Sequence, residues 1–448
     1  MNRKFVIVTF FLLIFTTTII WYIHVPNDSG ALVTTTIMPT NTSVPTTTLS
    51  SWDLIEHKTP EATNTPHPNP YFPMIKTKID LKGHAGTIKI NAQTGVVYVA
   101  DNFDQLLRIK DGIPQFQDEL TVPIALSEIA IDQEHDRVYV LSDRYLGEIV
   151  EGTTVLENDK KVGYVPFPGR VLNMVFEPIH GWLYVYGYPS REQIEEQNLD
   201  PVGVGVLQIL DGIEVIHEIN PWEIRAFDAI VDSTNGEVYF STVYEPEVPR
   251  TDSNSRYGQM LTYRGKQKIS DTDRFLSKIH TSLFHPQHQT TYAFTNQFGN
   301  FDHSMTVIQR GEVIARQKIE QSQSAIRNGV VHPNTGELYL INTSTESVIV
   351  LTNELIPQYK TSIPIQGKDV GFQEIVADPF SGNVYLTNMN NGTLTIINGY
   401  EVVGVLDLDV QTVEMAVNPN NGDLYVSGGR SGNIWILGFE EGHVFPTE

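Results

Sequence analysis

Cysteine is absent from the 448 residues, which excludes disulfides, thiolate metal sites and a cysteine nucleophile and leaves either redox compartment open. Basic residues are scarce: 30 Lys and Arg against 53 Asp and Glu give a net charge of −23. So acidic a chain repels nucleic acid phosphate, so DNA and RNA are not its expected partners. No G-x-S-x-G elbow, H-E-x-x-H pair or Gly-rich phosphate loop occurs, so common hydrolase, metalloprotease and nucleotide-binding signatures are missing. Beyond residue 75 no stretch keeps helical periodicity over three turns, which argues against a helical core.

One long apolar run is present, Phe5 to Ile23, with 19 residues free of charge after Arg3 and Lys4. At about 1.5 Å per residue such a helix is long enough to cross the hydrocarbon core, and the preceding positive charges favour a cytoplasmic N-terminus. A cleaved signal peptide is the alternative, although its apolar region is usually shorter and ends in small residues, which TTTIIWYIHVP does not offer. Residues 1–25 are therefore expected to be a cytoplasmic tip and transmembrane anchor, or a signal peptide. Either puts the rest of the chain outside the cytoplasm, membrane-anchored or secreted. Residues 26–73 are rich in Thr, Ser, Pro and Asn. With too few apolar side chains to offset ordering entropy, they read as a flexible stalk.

From residue 74 to 448 one phrase recurs, seen most plainly as NNGDLYVS (420–427). Its tyrosines are Tyr98, Tyr139, Tyr184, Tyr239, Tyr292, Tyr339, Tyr385 and Tyr425, at intervals of 41, 45, 55, 53, 47, 46 and 40 residues. Each repeat holds four short runs rich in Val, Ile and Tyr, which suit strands. Four strands per repeat and eight repeats predict an all-β, eight-bladed β-propeller. Repeat eight lacks its fourth strand, whereas Ile75 to Leu81 precedes repeat one and resembles the fourth run of repeat seven. The N-terminal strand is thus expected to complete the last blade and remove an open sheet edge.

Two columns read as turn chemistry. Seven residues before each tyrosine stand Asn91, Asp132, Glu177, Asp232, His285, His332, Asp378 and Asn418; three before it stands glycine, except at Asp136 and Gln289. Side chains that bond the backbone, followed by a residue accepting positive φ, make a tight A–B turn. His285 and His332 share that column and are read as caps, and the tyrosines as packing between blades. The C–D turns are assigned to Asp111-Gly112, Glu151-Gly152, Asp211-Gly212, Arg264-Gly265, Arg310-Gly311 and Asn398-Gly399.

The phrases VYVAD, VYFST, VYLTN and LYVSG resemble the YVTN-type propeller repeats of surface-layer and other cell-envelope proteins. That resemblance spans about residues 75 to 448. It implies a binding or scaffolding module, with a protein, peptide or envelope polymer as partner. The once-per-blade tryptophan of quinone-dependent propellers and the Trp-Asp ending of WD repeats are both missing.

Two groups of residues are candidate sites. The longest B–C loops are 187–203, 242–258 and 296–304, and long loops on a rigid scaffold are where binding residues gather. Their acidic and aromatic side chains, Glu195, Glu196, Asp200, Tyr244, Glu245, Glu247, Tyr257 and Phe298, suit a protein or basic partner. Eleven residues before each tyrosine a polar column, Thr87, Glu128, Asn173, Asp228, Thr281, Asn328, Glu374 and Glu414, is expected to ring the channel mouth. It is similar to the metal-ligand column of gluconolactonase-like propellers. Glu128, Asn173, Asp228, Asn328, Glu374 and Glu414 are hard oxygen ligands of the kind calcium or magnesium accepts. The alternative function is therefore a divalent-metal-dependent, lactonase-like hydrolase. Eight blades make a wider channel than six, which works against one ion reaching ligands on opposite sides.

Overall fold

In the computed structural model the described residues are 69–81, 84–100, 106–116, 126–142, 151–199, 204–222, 225–244, 257–272, 279–296, 303–319, 326–365, 371–408, 411–440, 443 and 445. The expected anchor and nearly all of the expected stalk, residues 1–68, lie outside them. No helix among the described residues is long and apolar enough to cross a membrane.

Eight four-stranded antiparallel sheets follow one another, each with its strands A to D in order. The A strands of successive blades contact each other around the ring, that of blade 1 meeting that of blade 8. Blade 8 takes its fourth strand from Met74–Asp80, which pairs with Asn433–Gly438 from Met74↔Gly438 to Asp80↔Asn433. The expected closure is therefore present. Lys76 clamps it through a 2.5 Å contact to Asp423, and Lys78 sits 5.4 Å from the Trp435 ring.

The apolar interior is divided. Eight clusters of buried side chains lie one at each blade junction. All eight repeat tyrosines are 3% exposed or less, so the packing role read from the sequence holds. Each cluster is built from both of its blades, so no blade buries its own apolar faces without neighbours.

The A–B turns form as their residues predict. Gly95, Gly181, Gly236, Gly336, Gly382 and Gly422 have φ of 70–74°, and the two exceptions, Asp136 and Gln289, adopt 47° and 49°. The capping oxygens accept backbone N–H groups: Asn91 from Gln93 at 3.0 Å, Asp378 from Phe380 at 2.8 Å, Asn418 from Asn420 at 3.0 Å. His332 does the same with Nδ1, accepting from Asn334 and Thr335 at 3.2 Å, while Nε2–H donates to Gly382 O in the next blade at 3.0 Å. His285 likewise donates from Nε2 to Gly336 O at 2.8 Å, and burial lowers its pKa. Both histidines are thus caps, and each imidazole stands where an Asx carboxamide or carboxylate stands elsewhere.

One turn assignment is corrected. Glu151-Gly152 is not a C–D turn, because Gly152 begins strand C, Gly152–Glu157, of blade 2. The turn is Asn158-Asp159, with φ of 48° and 63°. Asn and Asp tolerate the left-handed region nearly as glycine does, so a glycine-based search passes over them.

Since strand D begins on the face of the C–D turns, Met74 lies on the turn face. Residues just before it are held there: Tyr71 O accepts from Asn383 Nδ2 at 2.7 Å, Pro70 O from His443 at 2.9 Å, and the Tyr71 and Phe445 rings stack at 5.8 Å. The chain thus enters the propeller opposite the B–C loops.

Candidate functional site

The polar column lies on or beside the inner strands, just before them at Thr87 and Glu414 and within them at Glu128, Asn173, Asp228, Thr281, Asn328 and Glu374. In six blades the A–B pairing slips beside it, for example between Leu126 and Glu128, Val171 and Asn173, and Ala226 and Asp228. A bulge of this kind re-aims one side chain. It also leaves an amide to satisfy, and four column residues cap the N–H that comes after them. Glu128 accepts from Ile129 at 3.3 Å, Asn173 from Met174 at 2.7 Å, Asp228 from Ala229 at 2.9 Å and Asn328 from Gly329 at 2.8 Å. Part of the polarity is therefore a backbone requirement.

The remainder gathers around a residue outside that column. Lys89, in strand A of blade 1 (Ile88–Ile90), places Nζ 2.7 Å from Glu414 and 3.2 Å from Glu128. Glu374 lies in the electrostatic reach of Glu414, Lys89 and Glu128, and accepts from Asn328 Nδ2 at 3.4 Å. Asp228 stands apart, accepting from Ser282 Oγ at 3.1 Å. Thr87 donates to Ser127 O at 2.8 Å. The structure therefore brings Glu128, Asn328, Glu374 and Glu414 together along one arc of the mouth and leaves Asn173 and Asp228 outside it.

The electrostatics arise from three carboxylates facing one ammonium. Burial raises the Glu374 carboxyl to about 7, with Glu414 adding to the shift and Lys89 opposing it. Burial also raises Glu128, against the attraction of Lys89. For Lys89 burial alone would lower the pKa, but Glu414 and Glu128 outweigh it and raise it. The side chains of Lys89, Glu128 and Glu414 remain 39%, 26% and 19% exposed, so the cluster is screened by channel water. Among the described residues no group of three or more His, Asp or Glu is placed to hold a metal ion. Lys89 already supplies a positive charge between Glu128 and Glu414.

Lys89 was legible as an anomaly. Nine residues before the other tyrosines stand Ala130, Val175, Ile230, Leu283, Val330, Val376 and Ala416. A lysine in that apolar column is the signal a column-by-column reading supplies.

Of the loop candidates, Glu195 and Glu196 lie on a helix, Arg191–Gln197, capped by Ser190 and Gln193. Two turns are too short for a periodicity search over three to detect. Glu195 accepts from Arg191 Nε at 2.8 Å. Tyr244 and Tyr257 end paired strands and are cross-strand partners. Asp200, Glu245, Glu247 and Phe298 lie outside the described residues.

No family model and no curated protein matches the chain. Among solved structures, the C-terminal WD40 domain of Sif2 is similar at a TM-score of 0.58 and 8% identity, covering 82% of this chain and 98% of that one. The propeller domain of Myceliophteria thermophila Cps50 (Swd1) gives 0.51 and 11%, covering 82% and 100%. BamB from Moraxella catarrhalis gives 0.53 and 10%, also covering 82% and 100%. At such identities the likeness establishes the propeller fold.

Proposed function

We propose that this chain is an extracytoplasmic propeller with YVTN-type repeats, carried on its Thr/Ser/Pro-rich stalk and N-terminal apolar segment. It acts as a binding or scaffolding module for a protein, peptide or envelope polymer. The observation that supports this reading is the closed eight-bladed propeller itself, in which Pro70 and Tyr71, among the first described residues, are bonded on the turn face, opposite the B–C loops. Those loops contain the longest departures from the repeat and an acidic helix, which suits a partner with basic or polar groups. The metal-dependent hydrolase reading has less support, since Lys89 stands where an ion would balance Glu128 and Glu414 and four column oxygens already accept backbone amides.

The absence of cysteine makes the test direct. Glu195→Cys on the loop side and Ile213→Cys on the turn side each give a single thiol. On intact cells a membrane-impermeant maleimide is expected to label both. A thiol-anchored photocrosslinker at 195 is expected to join a partner that the one at 213 does not. Protection of both thiols until lysis defeats the extracytoplasmic assignment, and the same crosslinked species from both positions defeats the loop face.

A further inference from the structure

Each repeat tyrosine is buried at a blade junction, and several hydroxyls reach the C–D turn of the following blade. Tyr98 donates to Asp159 at 2.9 Å, Tyr184 to Gly265 O at 2.9 Å and Tyr339 to Gly399 O at 2.9 Å, while Gly212 N donates to Tyr139 at 3.2 Å. Tyr239 donates to Glu237 and Tyr385 accepts from Asn383 within their own blades, at 2.6 and 3.2 Å. Where blade 8 meets blade 1, Tyr425 and the C–D turn at Asp111 and Gly112 both border open space. Between them lies a pocket of about 540 Å³, lined by Lys76, Asp111, Asn418, Asn420, Asp423 and Tyr425 among others.

We propose that this pocket binds a neutral polyhydroxylated ligand, one or two sugar rings in size. Its volume falls in the range of small-molecule sites, roughly 300–1,000 Å³. The walls are carboxamides and carboxylates, whose paired donors and acceptors match adjacent hydroxyls on a ring. The charges argue against an anionic ligand. Lys76 is paired with Asp423 at 2.5 Å, and Asn421 donates to the other Asp423 oxygen at 2.9 Å. Among the described residues no spare cation therefore faces the pocket. Among the same residues neither the Asp111 nor the Asn420 side chain is hydrogen-bonded to another side chain, and both are exposed, so they are available to hydroxyl groups. The buried Tyr425 and Ile436 close the back, giving the C–H face of a sugar an apolar wall. Lys76 belongs to the closing strand, so the pocket opens on the face where residues 69–73 enter. It is independent of the loop-face reading.

Calorimetric titration of the full chain with cellobiose, the β-1,4 disaccharide of N-acetylglucosamine, maltose and trehalose tests this. At least one is expected to bind with a dissociation constant in the millimolar range or below. Asn420→Ala is expected to weaken it about tenfold, the loss of one good hydrogen bond. Thr94→Trp, at an exposed turn position on the rim, is expected to abolish it with an unchanged melting temperature, and inorganic phosphate is expected to give no heat. The proposal is overturned if none of the four saccharides binds, if a folded Thr94→Trp chain binds undiminished, or if phosphate competes.

Discussion

The turn face and the channel mouth are built from the same side chains, Asn, Asp, Glu and a few basic groups, and behave differently. On the turn face the capping side chains meet fixed backbone partners. His332 accepts from two amides of its own turn and donates to Gly382 of the next blade, and Asn418 Nδ2 donates to Gly95 O across the junction at 3.3 Å. At the channel mouth the backbone absorbs only one oxygen of a side chain, and Glu128, Glu374 and Glu414 are left to share Lys89. Residue type therefore does not separate structure from site. What separates them is whether enough backbone amides converge to use every lone pair.

The largest expected effect comes from the turn-face side, where closure is a single strand. Deleting residues 74–80 exposes the edge of Asn433–Gly438 and opens the apolar cluster around Ile79, Ile434 and Ile436. We expect the thermal midpoint to fall by about 10 °C or more, or cooperativity to be lost. An unchanged melt means that blade 8 closes by other means.

At the channel mouth the effects should be smaller and depend on pH. Lys89→Met leaves Glu128 and Glu414 facing each other without their cation, at a cost of about 2 kcal/mol near pH 8. Acid should restore part of it, since the Glu128 carboxyl, already raised by burial, can then take up a proton. Urea melts at pH 8 and pH 5 check this. An equal loss at both means that Lys89 contributes packing rather than charge.

The smallest effect is expected for Glu374→Gln. With a folded pKa raised to about 7, Glu374 favours the folded state fully only below its unfolded pKa. That contribution is lost as pH rises through 7. Glutamine should therefore stabilise by about 1–2 kcal/mol at pH 8, allowing for screening by channel water, and give no gain at pH 5. A pH-independent difference would place Glu374 outside the cluster.

Much of the fold was legible because each blade repeats one solution to one local problem. Tyrosine at a fixed interval, the capping residue seven positions earlier and the glycine three positions earlier are local turn and packing requirements, and they can be counted along the chain. Asn158-Asp159 escapes a search that seeks left-handed backbone through glycine. The helix at Arg191–Gln197 escapes one that asks for three turns, because it is two turns long.

The site was legible only in part. The sequence placed Glu128, Asn328, Glu374 and Glu414 in a column that rings the channel, since equal positions in repeats become neighbours in a closed ring. It could not pair them, because which groups meet depends on bulges, on distances across junctions and on one lysine two positions further down the inner strand. The sequence by itself thus determined eight blades, most of their turns and the strand that closes them, all set by short-range backbone and packing rules. Only the tertiary structure decided that Lys89 holds Glu414 and Glu128, that Tyr425 leaves a pocket beside Asp111, and that the chain enters opposite its longest loops. Those facts depend on contacts between residues up to 373 positions apart, and no local pattern encodes them.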